Sequence, residues 1–280
     1  MFYDIIQLPA RFLLKFFIKR LEFTGLENLP KSGAVILASN HSNSFFDAVI
    51  LCAYFVRRVW SLARGDVFKK PLAKKVLSSL YMMPMYRLSE GKEYLGDNDD
   101  TFNKCISLFK QGEMVLIFSE GLCTHQTKLL PLKKGTGRLA QKAWDDKIDV
   151  VIVPIGITYN NFNKFGKIVK VNIGKPMQKE EFPQEATEGM FLKEFNRILT
   201  EKLNALLDTT LPKPSFWKNP WYYIGLVINF PVNALATGLS RKLTRGSVFF
   251  DSITAGFMIF VLPIYWILLA LLIYFLTKFV

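Results

Sequence analysis

Two side chains with complementary acid–base chemistry lie six positions apart in the segment ILASNHSNSFFDAVIL, residues 36–51. An imidazole can accept a proton from a hydroxyl as that oxygen attacks an acyl carbon, which makes His41 a candidate general base. The carboxylate of Asp47 could hold the ring in the useful tautomer and stabilise the imidazolium that forms. The simpler interpretation is an incidental loop histidine beside an aspartate that complements a helix dipole.

His41 lies at a kind of position that often carries function. It follows a predicted strand at 34–39 and precedes a predicted helix at 46–56, and loops at strand ends commonly carry the sites of α/β folds. This local pattern alone leaves both interpretations open. The other histidine, His125, fits an ordinary loop position. We expect no metal site, because two histidines and three scattered cysteines lack the spacing of metal ligands.

Between residues 22 and 208, short apolar runs alternate with helical patterns. The predicted strands are 34–39, 58–63, 113–119, 149–159 and 168–174. The predicted helices are 46–56, 69–80, 98–111, 135–145 and 188–207. Strands that alternate with helices indicate an α/β domain built on a mixed, largely parallel sheet flanked by helices.

Residues 1–21 have the pattern of an amphipathic helix. Basic residues recur every four positions on one face, at Arg11, Lys15 and Lys19. Large apolar residues crowd the other side, at Phe2, Ile6, Leu13, Phe16 and Phe17. Such a helix can lie in the headgroup plane of a membrane. The alternative is an ordinary helix packed on its own domain.

Residues 209–280 are predicted to associate with a membrane. The stretch 252–277 has 26 residues without a charged side chain. As a helix it would be about 39 Å long, enough to cross a hydrocarbon core of about 30 Å. The stretch 219–240 is also uncharged but contains Asn229 and Asn233. We expect it to be interfacial or re-entrant, because spanning would place the basic residues that follow it on the outer side.

The charge balance indicates an anionic partner. Lysine and arginine total 36 against 23 acidic residues, a formal charge of +13, which suits either nucleic acid or the phosphate face of a membrane. The long apolar segments favour the membrane and make a nucleic-acid partner the least favoured. Three cysteines cannot all pair, which argues against a disulfide framework and favours a reducing compartment. The N-terminus does not have the pattern of a secretory signal. We therefore expect a membrane protein with its main domain on the cytoplasmic face.

Four segments, SNHSNSFFD (39–47), MPMYR (83–87), IFSEGLCTH (117–125) and VIVPIGITY (151–159), follow one another along the chain. They resemble, in order, the four motifs of the glycerolipid acyltransferase family, which includes glycerol-3-phosphate and lysophosphatidic acid acyltransferases. One such segment would be weak evidence, whereas four in the family's order, over roughly residues 20–180, form a specific signal.

The resemblance implies a role for several residues. His41 would be the catalytic base and Asp47 its partner. Arg87 of the second segment would contact the phosphate of the acceptor. Glu120 and Gly121 of the third segment would shape the acceptor site, the glycine by permitting a tight turn and the glutamate by holding a hydroxyl or the neighbouring loop.

The chain departs from the family pattern at two points. Five residues intervene between the histidine and the aspartate of the first motif, where the family usually has four. At about 100° per residue neither spacing puts both side chains on one face of a helix, so they must meet across a turn. The third motif often has arginine where this chain has Cys123. We expect Arg87, with Lys133 or Lys134, to supply the missing positive charge.

The resemblance implies a membrane-bound O-acyltransferase of phospholipid biosynthesis that acts on 1-acyl-glycerol-3-phosphate. The acyl donor would be a thioester, acyl-CoA or acyl-carrier protein, as a co-substrate with no further cofactor. The expected partners are the lipid membrane, the donor and a lysophospholipid acceptor. Two alternatives stay open: acylation of glycerol-3-phosphate or an aminoacyl lipid, and a non-catalytic lipid-binding membrane protein with the same fold.

Overall fold

A computed structural model of the protein describes residues 2–86, 96–183, 186–207 and 210–278. Within these ranges, seven strands form one sheet. The strands are β1 (Ile18–Thr24), β2 (Ala34–Ser39), β3 (Val59–Arg64), β4 (Met82–Met85), β5 (Met114–Phe118), β6 (Val150–Tyr159) and β7 (Lys167–Ile173). Their order across the sheet is β1-β7-β6-β2-β5-β3-β4.

All neighbouring strands run parallel except β6 and β7. The connection between these two, residues 160–166, is too short for a parallel crossover, which needs about a dozen residues or more. The predicted fold class, an α/β fold on a mixed, largely parallel sheet flanked by helices, is confirmed. The strands and helices predicted between residues 22 and 208 are present, with ends that shift by two residues at most.

Helices cover both faces of the sheet. They are α1 (Phe2–Phe17), α2 (Phe45–Tyr54), α3 (Pro71–Ser79), α4 (Asp97–Lys110), α5 (Gly135–Asp145), α6 (Glu188–Leu206), α7 (Pro220–Ile228), α8 (Phe230–Thr244) and α9 (Phe250–Lys278). Successive residues of a strand point to opposite faces. Accordingly Val35 and Leu37 of β2 join a core with α1, α2 and α9, whereas Ile36 and Ala38 join one with α4, α5 and α6.

The sequence prediction is wrong at two places in the sheet. α1 ends at Phe17, and residues 18–21, predicted as helix, belong to β1. Parallel pairing with β7 holds this strand, and such tertiary contacts override local pattern. The prediction also lacks β4, whose pattern is interrupted by Pro84. β4 lies at the edge of the sheet beside β3, where proline is tolerated.

α1 packs on the domain and also keeps an apolar strip exposed. Arg11 donates a hydrogen bond from Nε to the carbonyl of Ala53, and Gln7 Nε2 donates to the carbonyl of Cys52 at 2.9 Å. The buried side chains are Tyr3, Leu14, Phe16 and Phe17, and the exposed apolar ones are Ile5, Leu8 and Phe12. The basic face of the helix therefore partly contacts protein rather than solvent.

The C-terminal region has one helix, α9, that is long and apolar enough to cross a membrane, judged by length and composition within the described residues. In its first half Phe250, Met258 and Leu262 are buried, and the helix packs against α1, α2 and α8. Large apolar side chains of its second half are exposed, as expected for a surface in contact with lipid. α7 and α8 together form a bent pair with an angle of 84°, the geometry of a broken span or a re-entrant segment.

Candidate active site

Three parallel strands end at the same edge of the sheet and bring the candidate residues together. β2 is flanked by β5 and β6, and both neighbours run parallel to it. The segment that contains His41 follows β2, Glu120 follows β5, and Tyr159 is the last residue of β6. The carboxyl ends of parallel strands are the common location of sites in open α/β sheets.

His41 and Asp47 form a hydrogen-bonded pair at this edge. His41 Nδ1 lies 2.9 Å from Asp47 Oδ2, with 15% of the histidine side chain and 0% of the aspartate side chain exposed. The ring of His41 stacks on that of Phe118, with centroids 3.9 Å apart. Because Nδ1 contacts the carboxylate, Nε2 is the nitrogen left for a substrate hydroxyl. The predicted pairing of the two residues is present in the structure.

The carboxylate of Asp47 is held from two further directions. The backbone N–H of Asn43 donates to Oδ2 at 2.8 Å, and the hydroxyl of Tyr159 donates to Oδ1 at 2.6 Å. Burial, reinforced by the charge of Asp47, raises the pKa of Tyr159 well above its ordinary value. The tyrosine therefore stays protonated and remains a donor. These two donors fix the orientation of the carboxylate that contacts His41 Nδ1.

Tyr159→Phe tests the contribution of this hydroxyl. We expect kcat to fall about tenfold and the free energy of unfolding to fall by about 1–2 kcal/mol, because a hydrogen bond to a charged group is lost without a change of shape. Steady-state rates and denaturant unfolding of the detergent-solubilised protein measure both. Tyr223→Phe, at a partly exposed position of α7, is the control and should alter neither. An unchanged kcat in Tyr159→Phe would contradict the role of Tyr159 in holding the carboxylate of Asp47.

The loop between His41 and Asp47 has an unusual backbone conformation at Ser44. Ser44 has φ 51° and ψ −140°, a region that residues other than glycine rarely occupy. Its N–H donates to Cys123 Sγ at 2.9 Å. The cysteine that replaces the family's frequent arginine therefore contacts the loop that has the extra residue.

Glu120 holds the His41 loop. Its Oε1 accepts the backbone N–H of His41 at 2.7 Å and its Oε2 accepts that of Leu130 at 3.0 Å. Burial raises the pKa of this carboxyl, while the two N–H donors oppose the shift. Of the two roles that the family resemblance implies for Glu120, the geometry supports the one that holds the neighbouring loop.

We expect Glu120→Gln to lower the free energy of unfolding by about 1–3 kcal/mol. In the wild type each carboxylate oxygen accepts one backbone N–H. In the variant one of these oxygens is replaced by an NH₂ group, so one backbone N–H loses its acceptor and faces another donor. Denaturant unfolding in detergent measures the change. Glu188→Gln, at an exposed position of α6, provides the matched control. Equal stability of the two variants would show that the backbone N–H groups find other partners.

Gly121 and Lys133 lie against each other at the same edge. Gly121 has φ 63°, and a Cβ there would lie 2.8 Å from Lys133 Cγ, so a larger residue would displace the lysine. The N–H of Lys133 donates to the carbonyl of Ser119 at 2.8 Å. Lys133 and Lys134 are exposed immediately before α5. Their charges add to the partial positive charge of the helix N-terminus, which favours an anionic ligand.

Arg87, predicted to contact the acceptor phosphate, lies outside the described residues. His125 stacks on Phe162, with ring centroids 4.8 Å apart. Burial and the charge of Lys167 lower its pKa. Among the residues described, no group of three histidine, cysteine, aspartate or glutamate side chains could hold a metal ion.

Sequence reasoning missed four residues that contact the pair or its neighbours. Besides Tyr159 they are Asn43, Lys167 and Asp251. Asn43 Nδ2 donates to Asp251 Oδ2 at 2.6 Å, and Lys167 Nζ lies 2.9 Å from the same oxygen. The sequence contains one signal for this contact, because Asp251 is the only acidic residue after Asp208.

Comparisons with known proteins agree with the geometry. Residues 20–158, which include the His41–Asp47 pair, match the protein-family model described as Acyltransferase. A chloroplastic 1-acyl-sn-glycerol-3-phosphate acyltransferase of Brassica napus is 28% identical over 137 residues, 49% of this chain and 36% of the relative. The chain belongs to the glycerolipid acyltransferase family. The matched segment spans about a third of the length of that relative.

Other members of the family are similar over shorter or less identical stretches. A glycerol-3-phosphate O-acyltransferase of Saccharomyces cerevisiae is 30% identical over 115 residues, 40% of this chain and 14% of the relative. The crystal structure of the 1-acyl-sn-glycerophosphate acyltransferase PlsC from Thermotoga maritima has a TM-score of 0.52, with 18% identity, over 72% of this chain and 77% of that one. This structural likeness establishes a shared acyltransferase fold.

Proposed function

We propose that this chain is a membrane-associated O-acyltransferase that transfers a fatty acyl group from a thioester to the free hydroxyl of 1-acyl-glycerol-3-phosphate. The observation that carries the proposal is the His41–Asp47 pair within the family-matched segment. The buried carboxylate holds Nδ1, so Nε2 at the sheet edge is the basic nitrogen of the neutral ring.

The proposed reaction is a direct transfer. His41 Nε2 accepts the proton of the acceptor hydroxyl while that oxygen attacks the thioester carbonyl, and Asp47 stabilises the imidazolium. The carbon–sulfur bond then breaks, and the thiolate leaves and takes up the proton. The amino-terminal end of α2 carries partial positive charge that would stabilise the developing oxyanion. The donor, acyl-CoA or acyl-carrier protein, is a co-substrate, so no further cofactor is required.

The exposed lysines beside Gly121 support a phosphorylated acceptor. Lys133 and Lys134 precede the N-terminus of α5, near the edge that carries His41, and they provide positive charge where the third motif lacks arginine. The names of the Brassica relative and of the Thermotoga protein specify 1-acyl-glycerol-3-phosphate. Glycerol-3-phosphate is the second candidate acceptor, because the yeast relatives act on it by name.

The apolar surfaces support attachment to a membrane. The exposed strip of α1 and the second half of α9 would contact lipid, and the bent pair α7–α8 would lie at the interface. In this proposal α1 and residues 209–280 attach the protein, and residues 18–208, which include β1, form the catalytic domain on the cytoplasmic side. A lipid acceptor would then reach the site laterally.

The test is transfer from acyl-CoA and from acyl-carrier protein to lysophosphatidate, glycerol-3-phosphate and an aminoacyl lipid. We compare wild type with His41→Ala and, as a matched control, with the only other histidine changed, His125→Ala. Transfer to lysophosphatidate that is lost only in His41→Ala supports the proposal. Transfer to one of the other acceptors alone would identify that acceptor as the substrate. A wild type that is folded but inactive with every donor and acceptor would reject the proposed function.

A further inference from the structure

A fully buried ion pair lies next to the candidate catalytic residues. Lys167 Nζ and Asp251 Oδ2 are 2.9 Å apart, and both side chains are 0% exposed. Lys167 opens β7 and also donates to the carbonyl of Phe162 at 2.6 Å. Asp251 is in the first turn of α9. The pair therefore joins the sheet edge to the apolar C-terminal helix.

Asn43 connects this ion pair to the catalytic aspartate. Its side-chain Nδ2 donates to Asp251 Oδ2 at 2.6 Å, and its backbone N–H donates to Asp47 Oδ2 at 2.8 Å. Asp251 Oδ2 thus accepts from both Lys167 and Asn43. The contacts run without interruption from Lys167 through Asp251, Asn43 and Asp47 to the imidazole of His41.

The location of the pair argues for a role beyond holding α9 in place. Asp251 is the only acidic residue between 209 and 280, in a region rich in apolar side chains. A buried ion pair stabilises a fold no better than apolar residues of similar volume. An apolar contact would therefore dock the helix equally well. What an apolar residue does not offer is an oxygen that fixes the side chain of Asn43.

We infer that Asp251, held by Lys167, is a positioning residue of the acyltransferase site. By accepting from Asn43 it fixes the backbone N–H that binds Asp47, and hence the orientation of His41. Both residues lie outside the family-matched segment 20–158. The active site then includes a contribution from the C-terminal helix. The inference rests on the proposed function, in which His41 is the base.

Two double variants separate positioning from simple packing. Lys167→Met/Asp251→Leu removes both charges and the acceptor of Asn43, whereas Lys167→Met/Asp251→Asn removes both charges but keeps an acceptor oxygen. Neither leaves a buried charge without a partner, which is the main risk to folding. As a control, Arg138→Met/Glu188→Leu removes an exposed ion pair.

We expect kcat to fall about 10- to 100-fold in the leucine double variant, the range seen when a supporting contact of a site is lost. The asparagine double variant should stay within about threefold of wild type, with the acceptor KM of both within about twofold. The exposed control should match wild type. Equal kcat in the two buried double variants, whether unchanged or equally reduced, would overturn the inference, because the oxygen that Asn43 contacts would then have no effect.

A second measurement does not depend on activity. In a His125→Gln background the only imidazole is that of His41, so its Nδ1 proton can be followed by NMR of the full chain in micelles. We expect the strongly hydrogen-bonded Nδ1–H signal in wild type and in the asparagine double variant, and its loss or shift in the leucine one. Identical signals in all three would overturn the inference. A wild type that transfers no acyl group would reject the proposed function, while this signal would still decide the positioning.

Discussion

Replacing Asp47 by asparagine is expected to lower kcat about 10³- to 10⁴-fold, the largest effect that we predict. Asparagine keeps the shape of the side chain but carries no charge. It can also present an N–H to His41 Nδ1, which would favour the wrong tautomer of the ring. Because the aspartate is 0% exposed, solvent cannot substitute for the missing charge.

Initial rates at saturating donor and acceptor measure this effect, and thermal unfolding monitors the fold. The comparison with His41→Ala and with the double variant is informative, because residues that act as one unit are not additive. We expect the double variant to be no slower than His41→Ala alone. A loss of less than tenfold in Asp47→Asn, or a further large loss in the double variant, would contradict a joint role for the two residues.

The second large effect concerns stability. Asp251→Ala should lower the free energy of unfolding by about 3–5 kcal/mol, because Lys167 would remain buried without its partner. Burial already lowers the pKa of Lys167, and Asp251 opposes that shift. In the variant the lysine must therefore lose its proton or reach water, and either change weakens the junction of β7 and α9.

Denaturant unfolding in detergent measures this loss. Glu188→Ala, which breaks the exposed pair with Arg138, should change stability little, since surface pairs contribute little. We also expect Lys167→Met/Asp251→Leu to be more stable than Asp251→Ala alone, because no charge remains unpaired. A small loss in Asp251→Ala would show that the lysine finds another partner.

The pair at the centre of the candidate site could be predicted because its signal is local. His41 and Asp47 belong to one segment between a strand and a helix, and residue type, spacing and resemblance point to the same chemistry. Glu120 and Gly121 could be found in the same way, since they follow the next strand in the sheet. The strands themselves have continuous apolar runs, as buried parallel strands do.

The partners of these residues could not be predicted, because their contacts are separated by long stretches of sequence. Tyr159 and Asp47 are 112 positions apart, and Asn43 and Asp251 are 208 apart. Periodicity indicates which face of an element is buried but not what it packs against. The helix prediction for residues 18–21 is wrong for the same reason, because pairing with β7, rather than the local pattern, makes them part of a strand.

The contact between Asn43 and Asp251 also sets an order of events during synthesis. The loop with His41 is made early, and all seven described strands precede Asp251 in the chain. The sheet can therefore form before the last hydrogen bond around Asn43 exists. That bond becomes available only when α9 is made, the helix suited to enter the bilayer. Completion of the site would then coincide with entry of α9 into the bilayer, so a nascent or truncated chain without α9 would lack a fully supported catalytic pair.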